Sequence, residues 1–148
     1  MATSTQPPAN ARKIVLEIGD WRFTGRLEAA AAPKSVAWLS ARFPLEGLAL
    51  HARWSGEAAW MPLEQEVALD EENAVTHPHP GQVLLYAGTE SVPELLIPYG
   101  LCAFACRVGA LAGNHVITLE NDFSGLNALG HALIYKGAQP LRLRWDGE

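Results

Sequence analysis

A short stretch beginning at Arg53 concentrates side chains that could bind a ligand. Trp54 follows the arginine directly, and Glu57 lies four residues downstream of it. A guanidinium is planar, always charged and rich in N–H donors, so Arg53 suits the binding of a carboxylate or carbonyl group. The alternative is an ordinary strand arginine that pairs with Glu57 or another acid. Both interpretations are open from these residues alone.

Histidines offer a second kind of chemistry. His77 and His79 are separated by a single proline in a His-Pro-His-Pro-Gly segment. Together with a further histidine they could hold a metal ion, and the candidates for that third ligand are His51, His115 and His131. The flanking prolines favour a rigid turn instead. We therefore predict no metal site.

The chain also has two cysteines, Cys102 and Cys106, whose thiols could react or bind a metal. On one extended strand they would lie about 13 Å apart, at about 3.3 Å per residue, whereas a disulfide requires Cα atoms within about 7 Å. We predict two thiols that pack as small apolar side chains. No phosphate-loop or dinucleotide motif occurs, and Ser55 lacks the context of a nucleophile elbow. No cofactor is predicted.

Length and composition indicate one globular domain. The chain has 148 residues, 49% of them hydrophobic and 18% charged, which is enough to bury a core. Its net charge of −5 and scattered basic residues argue against a nucleic-acid partner. No apolar run approaches the roughly 20 residues of a membrane span. We predict a cytoplasmic protein with a flexible tail over residues 1–11 and a single domain over residues 12–146.

Period-two alternation dominates the rest of the chain and predicts short strands. Arg12–Ile18 and Trp21–Leu27 form a predicted hairpin around Gly19-Asp20. A helix is expected to begin at Pro33, because proline is tolerated in the first helical turn. A second short helix is expected over Ser124–Leu133, and a strand over Leu141–Trp145 closes the chain. Many short strands with two short helices predict a mainly-β fold, a barrel or a sandwich.

Four segments in order resemble the cyclophilin family. They are similar to that family's first helix, its strand carrying the isomerase arginine, its Leu-Asp-Gly-Lys-His-Val stretch and the start of its second helix. In this chain they are Ala32–Leu39, Leu50–Arg53, Leu111–Ile117 and Ser124–Leu129. The resemblance implies a closed β-barrel of the cyclophilin type with two short helices.

A closer resemblance is to a bacterial family of cyclophilin-like proteins with no assigned function. It is carried by an Arg-Trp-Ser-Gly-Glu stretch (Arg53–Glu57), a Pro-Gly-x-x-Leu-x-Tyr strand (Pro80–Tyr86) and a Gly-Asn-His turn (Gly113–His115).

The resemblance also implies a site. In cyclophilins an arginine stabilises the twisted amide of a proline peptide bond, and an apolar pocket holds the proline ring. Arg53 and His115 match that groove, but Glu94 and Leu96 replace its glutamine and phenylalanine. The implied groove brings Arg53, Glu57, Glu94 and His115 together, with Arg53, His115 and Glu57 as the catalytic candidates. The implied ligand-binding residues are Trp54, Trp60, Glu94, Leu96, Tyr99 and Asn114.

Three functions follow as hypotheses. The first is a protein that binds or transforms a small carboxylate- or amide-bearing molecule, because charges and aromatic rings have replaced the proline pocket. The second is a divergent prolyl isomerase or peptide-binding module that uses Arg53. The third is a structural protein that assembles as a homo-oligomer, since some of the five tryptophans could lie at a subunit interface. Whether the protein is an enzyme stays open.

Overall fold

The structure is a computed structural model that describes residues 12–120 and 123–148. The predicted tail at residues 1–11 lies outside the described residues. The strands are β1 (Lys13–Ile18), β2 (Trp21–Leu27), β3 (Leu45–His51), β4 (Gly56–Pro62), β5 (Ala74–Val75), β6 (Gln82–Tyr86), β7 (Glu94–Cys102), β8 (Ala105–Cys106), β9 (Gly109–Ala110), β10 (Gly113–Leu119) and β11 (Gln139–Trp145). The helices are α1 (Pro33–Ser40) and α2 (Phe123–Lys136).

Eight of the described strands close into an antiparallel barrel. Their order is β2-β1-β11-β3-β4-β7-β6-β10, and β10 pairs again with β2 to complete the ring. β5 extends the sheet beyond β10, and β8 pairs with β9 in a separate small hairpin. The predicted mainly-β barrel with two short helices is therefore confirmed.

Alternation along the strands divides the buried residues into two clusters. In β7, Leu95, Ile97 and Tyr99 join the main core with the inward residues of the other barrel strands. Leu96 faces the opposite side and belongs to a second cluster with Ala58, Leu84, Tyr86, Phe104 and Leu111. Phe104 and Leu111 flank the β8–β9 hairpin, so this hairpin covers an apolar patch on the outside of the barrel wall.

The first helix is stabilised by a distant acid. α1 begins at Pro33, as predicted, but its N-cap residue Ala32 has no side chain that could accept a hydrogen bond. The Glu72 carboxylate supplies this acceptor and takes a hydrogen bond of 2.5 Å from the Ser35 backbone N–H. A negative group at this end also complements the helix dipole.

The second helix packs onto the main core, which the inward-facing residues of the strands form. Leu126, Leu129 and Leu133 are buried on its apolar face, as predicted. It ends before Gly137, whose φ of +90° is a conformation that favours glycine. α2 contacts β3, β4 and β7 of the barrel.

Two details of the strand prediction are wrong. The sequence suggests separate strands over Glu94–Pro98 and Gly100–Val108, whereas β7 runs unbroken to Cys102. Proline lacks an N–H, yet Pro98 is tolerated because its pairing with β4 adjoins an irregularity in the register. Gly113 and Asn114 do not form a turn but begin β10, where they pair with β5.

Candidate functional site

One pocket opens on the outer face of β4 and β7, beside the second apolar cluster. It contains about 390 Å³ of space free of protein atoms, including the solvent at its mouth. We call it the Arg53 pocket and define it by its lining residues: Ala52, Arg53, Trp54, Trp60, Ser91, Glu94, Ala105 and Cys106. Four of these were predicted from the sequence as site residues, namely Arg53, Trp54, Trp60 and Glu94.

Glu94 forms the buried acidic part of this pocket. It is the first residue of β7 and is paired with Tyr86 on one side and Pro62 on the other. The residue is only 8% exposed, and its carboxyl group makes no hydrogen bond or ion pair with any described residue. No fully buried polar side-chain atom of the described residues lacks a partner, so the Glu94 oxygens must reach solvent through the pocket. Burial raises the pKa of Glu94 to about 8.

Arg53 supplies positive charge at the mouth. It follows the end of β3 and is exposed, and within the described part of the chain its guanidinium forms no ion pair. Its ring contact is with Trp54, whose centroid lies 5.6 Å from the guanidinium carbon. The sequence left open a pairing with Glu57, and the structure does not show one. The guanidinium is therefore available to a ligand.

Two indoles form the aromatic walls. Trp60 of β4 lies opposite Leu96 of β7 and is half-buried, packed against the second cluster. Trp54 belongs to the loop after β3 and is 51% exposed. Aromatic faces of this kind bind planar groups and cations.

The β8–β9 hairpin closes the remaining side and is held in place by Ser55. The Ser55 hydroxyl donates to the Ala105 carbonyl and accepts from the Ala105 N–H, each at 3.1 Å. This links the loop that carries Arg53 to the strand that carries Cys106. The Cys102 thiol lies nearby, and burial, with the charge of Glu94, raises its pKa to about 11.

His115 does not face the Arg53 pocket, which corrects the expected convergence. The pairing of β10 with β6 is irregular between His115 and Ile117, and the imidazole lies along its own strand, toward the residues that follow it. Its Nε2 lies 3.1 Å from the Ile117 carbonyl oxygen and 2.9 Å from the Thr118 hydroxyl, which in turn donates to Glu28. Burial lowers the pKa of His115. The residue acts in a buried hydrogen-bond network.

Asn114 also has a structural position. Its amide nitrogen donates to the Ser35 hydroxyl at 2.9 Å and to the Asp70 carbonyl at 3.0 Å. Its amide oxygen accepts from the Glu72 N–H at 3.0 Å. The side chain thus joins α1, the loop that contains Asp70 and Glu72, and β10, and it lies outside the Arg53 pocket.

Glu57, Tyr99 and Leu96 were likewise predicted for the site and do not line the pocket. The Glu57 carboxylate accepts from the Leu101 N–H at 2.9 Å. The Tyr99 hydroxyl lies 2.7 Å from Nε2 of His51, whose Nδ1 donates to the Ala52 carbonyl at 2.8 Å. Leu96 is 1% exposed and packs beneath the pocket.

The pocket also contains residues that sequence reasoning missed. Ser91, Ala105 and Cys106 line it, yet none belongs to a motif. They come from the loop before β7 and the hairpin after it, and the fold alone brings them opposite Trp60. The resemblance to cyclophilins was the signal that assigned Glu94 and Leu96 to the site.

The arrangement can bind a small molecule at several kinds of group. A guanidinium offers charge-assisted donors to an acid or a carbonyl. A buried carboxyl group can accept from N–H donors, and the indoles can hold a planar body. No helix in the described residues is long and apolar enough to span a membrane. Among the same residues, no cluster of three or more His, Cys, Asp or Glu side chains could hold a metal ion.

Comparisons with known proteins agree on the fold. The chain is similar to McbB in complex with tryptophan, with a TM-score of 0.72 and 19% identity, over 91% of this chain and 45% of that one. This chain therefore spans less than half of the McbB chain. It is also similar to the hypothetical protein AF2241 from Archaeoglobus fulgidus, with a TM-score of 0.62 and 13% identity, over 92% of this chain and 95% of that one.

No curated protein matches the sequence. A family model does match, over residues 14–145, which is most of the chain and nearly the whole described barrel. The chain belongs to the family of proteins of unknown function named DUF3830.

Proposed function

We propose that this protein binds a small, planar molecule bearing a carboxylate or an amide in the Arg53 pocket. One observation carries the proposal. A guanidinium and a buried carboxyl group, neither of which forms a hydrogen bond or ion pair with a described side chain, line the same pocket as two indoles.

The unpartnered carboxyl group supports a binding role because burial without a partner is unfavourable. The Glu94 oxygens reach solvent through the pocket, but the burial of the residue disfavours the charged form of its carboxyl group. Nothing in the packing of β7 requires a carboxyl at Glu94, since its neighbours Tyr86 and Pro62 pair through the backbone. A group kept at such a cost in a pocket is a candidate for ligand recognition.

The indoles and the guanidinium support the chemical class. Arg53 suits a carboxylate or an amide carbonyl, because its N–H donors diverge in one plane. Trp54 and Trp60 offer faces to a flat body. A pocket with an apolar lining and a few polar groups is the usual form of a small-molecule site.

The similarity to McbB is compatible with this class. That protein was determined in complex with tryptophan, a planar molecule that bears a carboxylate. The shared feature is the barrel, so the likeness suggests tryptophan and its analogues as probes.

Calorimetric titration with simple probes tests the proposal. Suitable probes are benzoate, benzamide, indoleacetate and tryptophan, with Arg53→Ala and Trp54→Ala as variants. Both residues are exposed, so neither change should disturb folding. Charge-assisted hydrogen bonds are worth about 1.5–3 kcal/mol, so Arg53→Ala should weaken carboxylate binding about ten- to a hundredfold.

Arg22→Ala is the matched control, because Arg22 is also exposed and its ion pair with Asp146, at 3.8 Å, lies at the surface. It should leave every affinity unchanged. The proposal fails if no acid or amide binds at millimolar concentration, or if Arg53→Ala and Arg22→Ala have the same effect.

A further inference from the structure

We propose that the ligand of the Arg53 pocket carries an ammonium group as well as an acidic group, and that Glu94 binds the ammonium. The proposal rests on the function proposed above and narrows its ligand class to amphoteric molecules. The acid would bind Arg53 at the mouth, and the ammonium would bind the buried carboxylate.

The surroundings of Glu94 support this assignment. The groups that face it are Tyr86 across β6, Cys102 and Cys106 from the second cluster, and Arg53 at the mouth. The Tyr86 hydroxyl is engaged elsewhere, accepting from the Glu90 N–H at 2.8 Å. The cysteines carry no positive charge, and Arg53 forms no ion pair with Glu94. Within the described residues no cation pairs with Glu94, so a cationic partner would come from the ligand.

A carboxyl group at this position has one ability that an amide of the same size lacks. A glutamine could donate a hydrogen bond to an acceptor on the ligand without the penalty of burying an acid. A glutamate differs because it can become an anion and pair with a cation. The residue type therefore favours a cationic partner over a neutral or acidic one.

Proton release is the signature of this pairing. Burial raises the pKa of Glu94 to about 8, so the free protein carries a mostly neutral carboxyl group near pH 7. An ammonium ion that binds there favours the carboxylate, and the displaced proton passes to the buffer. Binding should release close to one proton near pH 7 and much less near pH 9, where Glu94 is already ionised.

A set of three probes isolates the ammonium. Benzoate has the acid, benzylamine has the ammonium, and para-aminomethylbenzoate has both on one ring. Titration near pH 7 in buffers of different ionisation enthalpy gives both affinity and proton release. A buried charge-assisted pair is worth about ten- to a hundredfold in affinity, and ionising Glu94 near pH 7 offsets about tenfold of this. We expect para-aminomethylbenzoate to bind up to about tenfold tighter than benzoate.

The variant Glu94→Gln separates recognition from folding, because glutamine has the size of the neutral acid. It should abolish the gain from the ammonium and the proton release, so that para-aminomethylbenzoate binds no tighter than benzoate. Glu90→Gln is the control, since Glu90 is an exposed acid in the loop before β7. It should change neither quantity.

The outcomes distinguish the two proposals. If benzoate binds through Arg53 but the ammonium adds no affinity and releases no proton, the function stands and this inference is wrong. If the gain survives in Glu94→Gln, another group binds the ammonium and the inference is also wrong. If none of the three probes binds, both proposals fail.

Discussion

Replacing Glu94 with glutamine should stabilise the protein at neutral and alkaline pH. In the unfolded chain the carboxyl group titrates near its ordinary pKa of 4.5, whereas burial raises its pKa in the folded state to about 8. This difference corresponds to about 5 kcal/mol of unfolding free energy between the extremes of pH. That is comparable with the whole stability of a small domain.

The direction in which the unfolding free energy changes with pH follows from proton binding. Between pH 4.5 and about pH 8 the folded state holds the Glu94 proton and the unfolded state does not. The unfolding free energy therefore falls as the pH rises through this window, and it levels off above it. Glutamine does not titrate, so Glu94→Gln should not show this fall. The variant should gain about 3–4 kcal/mol relative to the native protein between about pH 5 and pH 8.

Urea unfolding at several pH values checks this prediction. Comparing the two proteins at each pH cancels the contributions of the other titrating groups, including His115, whose pKa is lowered by burial. Glu90→Gln should follow the native protein throughout. A constant difference between Glu94→Gln and the native protein over this range would refute the argument, because it would mean that Glu94 titrates alike in both states.

Three further predictions concern the rest of the fold and the alternative function. Asn114→Ala removes three hydrogen bonds and should lower the unfolding free energy by about 2–4 kcal/mol. The exposed control Asn127→Ala should change it little. Equal losses of the two variants in urea unfolding would contradict the structural role of Asn114. Gly130→Ala should destabilise the protein, because the added methyl group would meet the Tyr99 ring. This clash should outweigh the higher helix propensity of alanine, which is worth about 1 kcal/mol relative to glycine. A higher melting temperature of the variant would show instead that the ring can move. A protease-coupled assay with proline peptides should show only the uncatalysed rate of isomerisation, because Glu94 and Trp60 line the pocket and His115 faces elsewhere. An acceleration that Arg53→Ala abolishes would restore the isomerase hypothesis.

The local elements could largely be predicted from the sequence. Alternation in β1, β2 and β11 and the leucines of α2 each place apolar residues on one face, and this pattern depends only on neighbours along the chain. Prediction failed at Pro98, because a proline ordinarily ends a strand and only its position beside a register irregularity allows β7 to continue. It also failed at Gly113-Asn114, where a turn-forming pair instead begins a buried strand.

The residues of the candidate site also divide into those that the sequence could place and those that it could not. Arg53, Trp54 and Trp60 lie close together in the sequence, so their meeting at one pocket needs only the β3–β4 connection. His115 and Asn114 were placed by resemblance, and their side chains instead hydrogen-bond to Thr118 and Ser35. No pattern along the chain could show this, because the outcome depends on the irregular pairing of β10 and on the position of the loop that contains Asp70.

The sequence by itself determined that Arg53 and its neighbouring tryptophans exist on a mainly-β scaffold, because residue type and period-two spacing are local properties. Only the tertiary structure decided that Glu94 is buried without a partner. Its burial requires β4 and β6 on either side and places it in the pocket whose opposite wall is the β8–β9 hairpin. Desolvation depends on atoms that are distant in the chain, so the property that makes Glu94 chemically distinctive arises when the barrel closes.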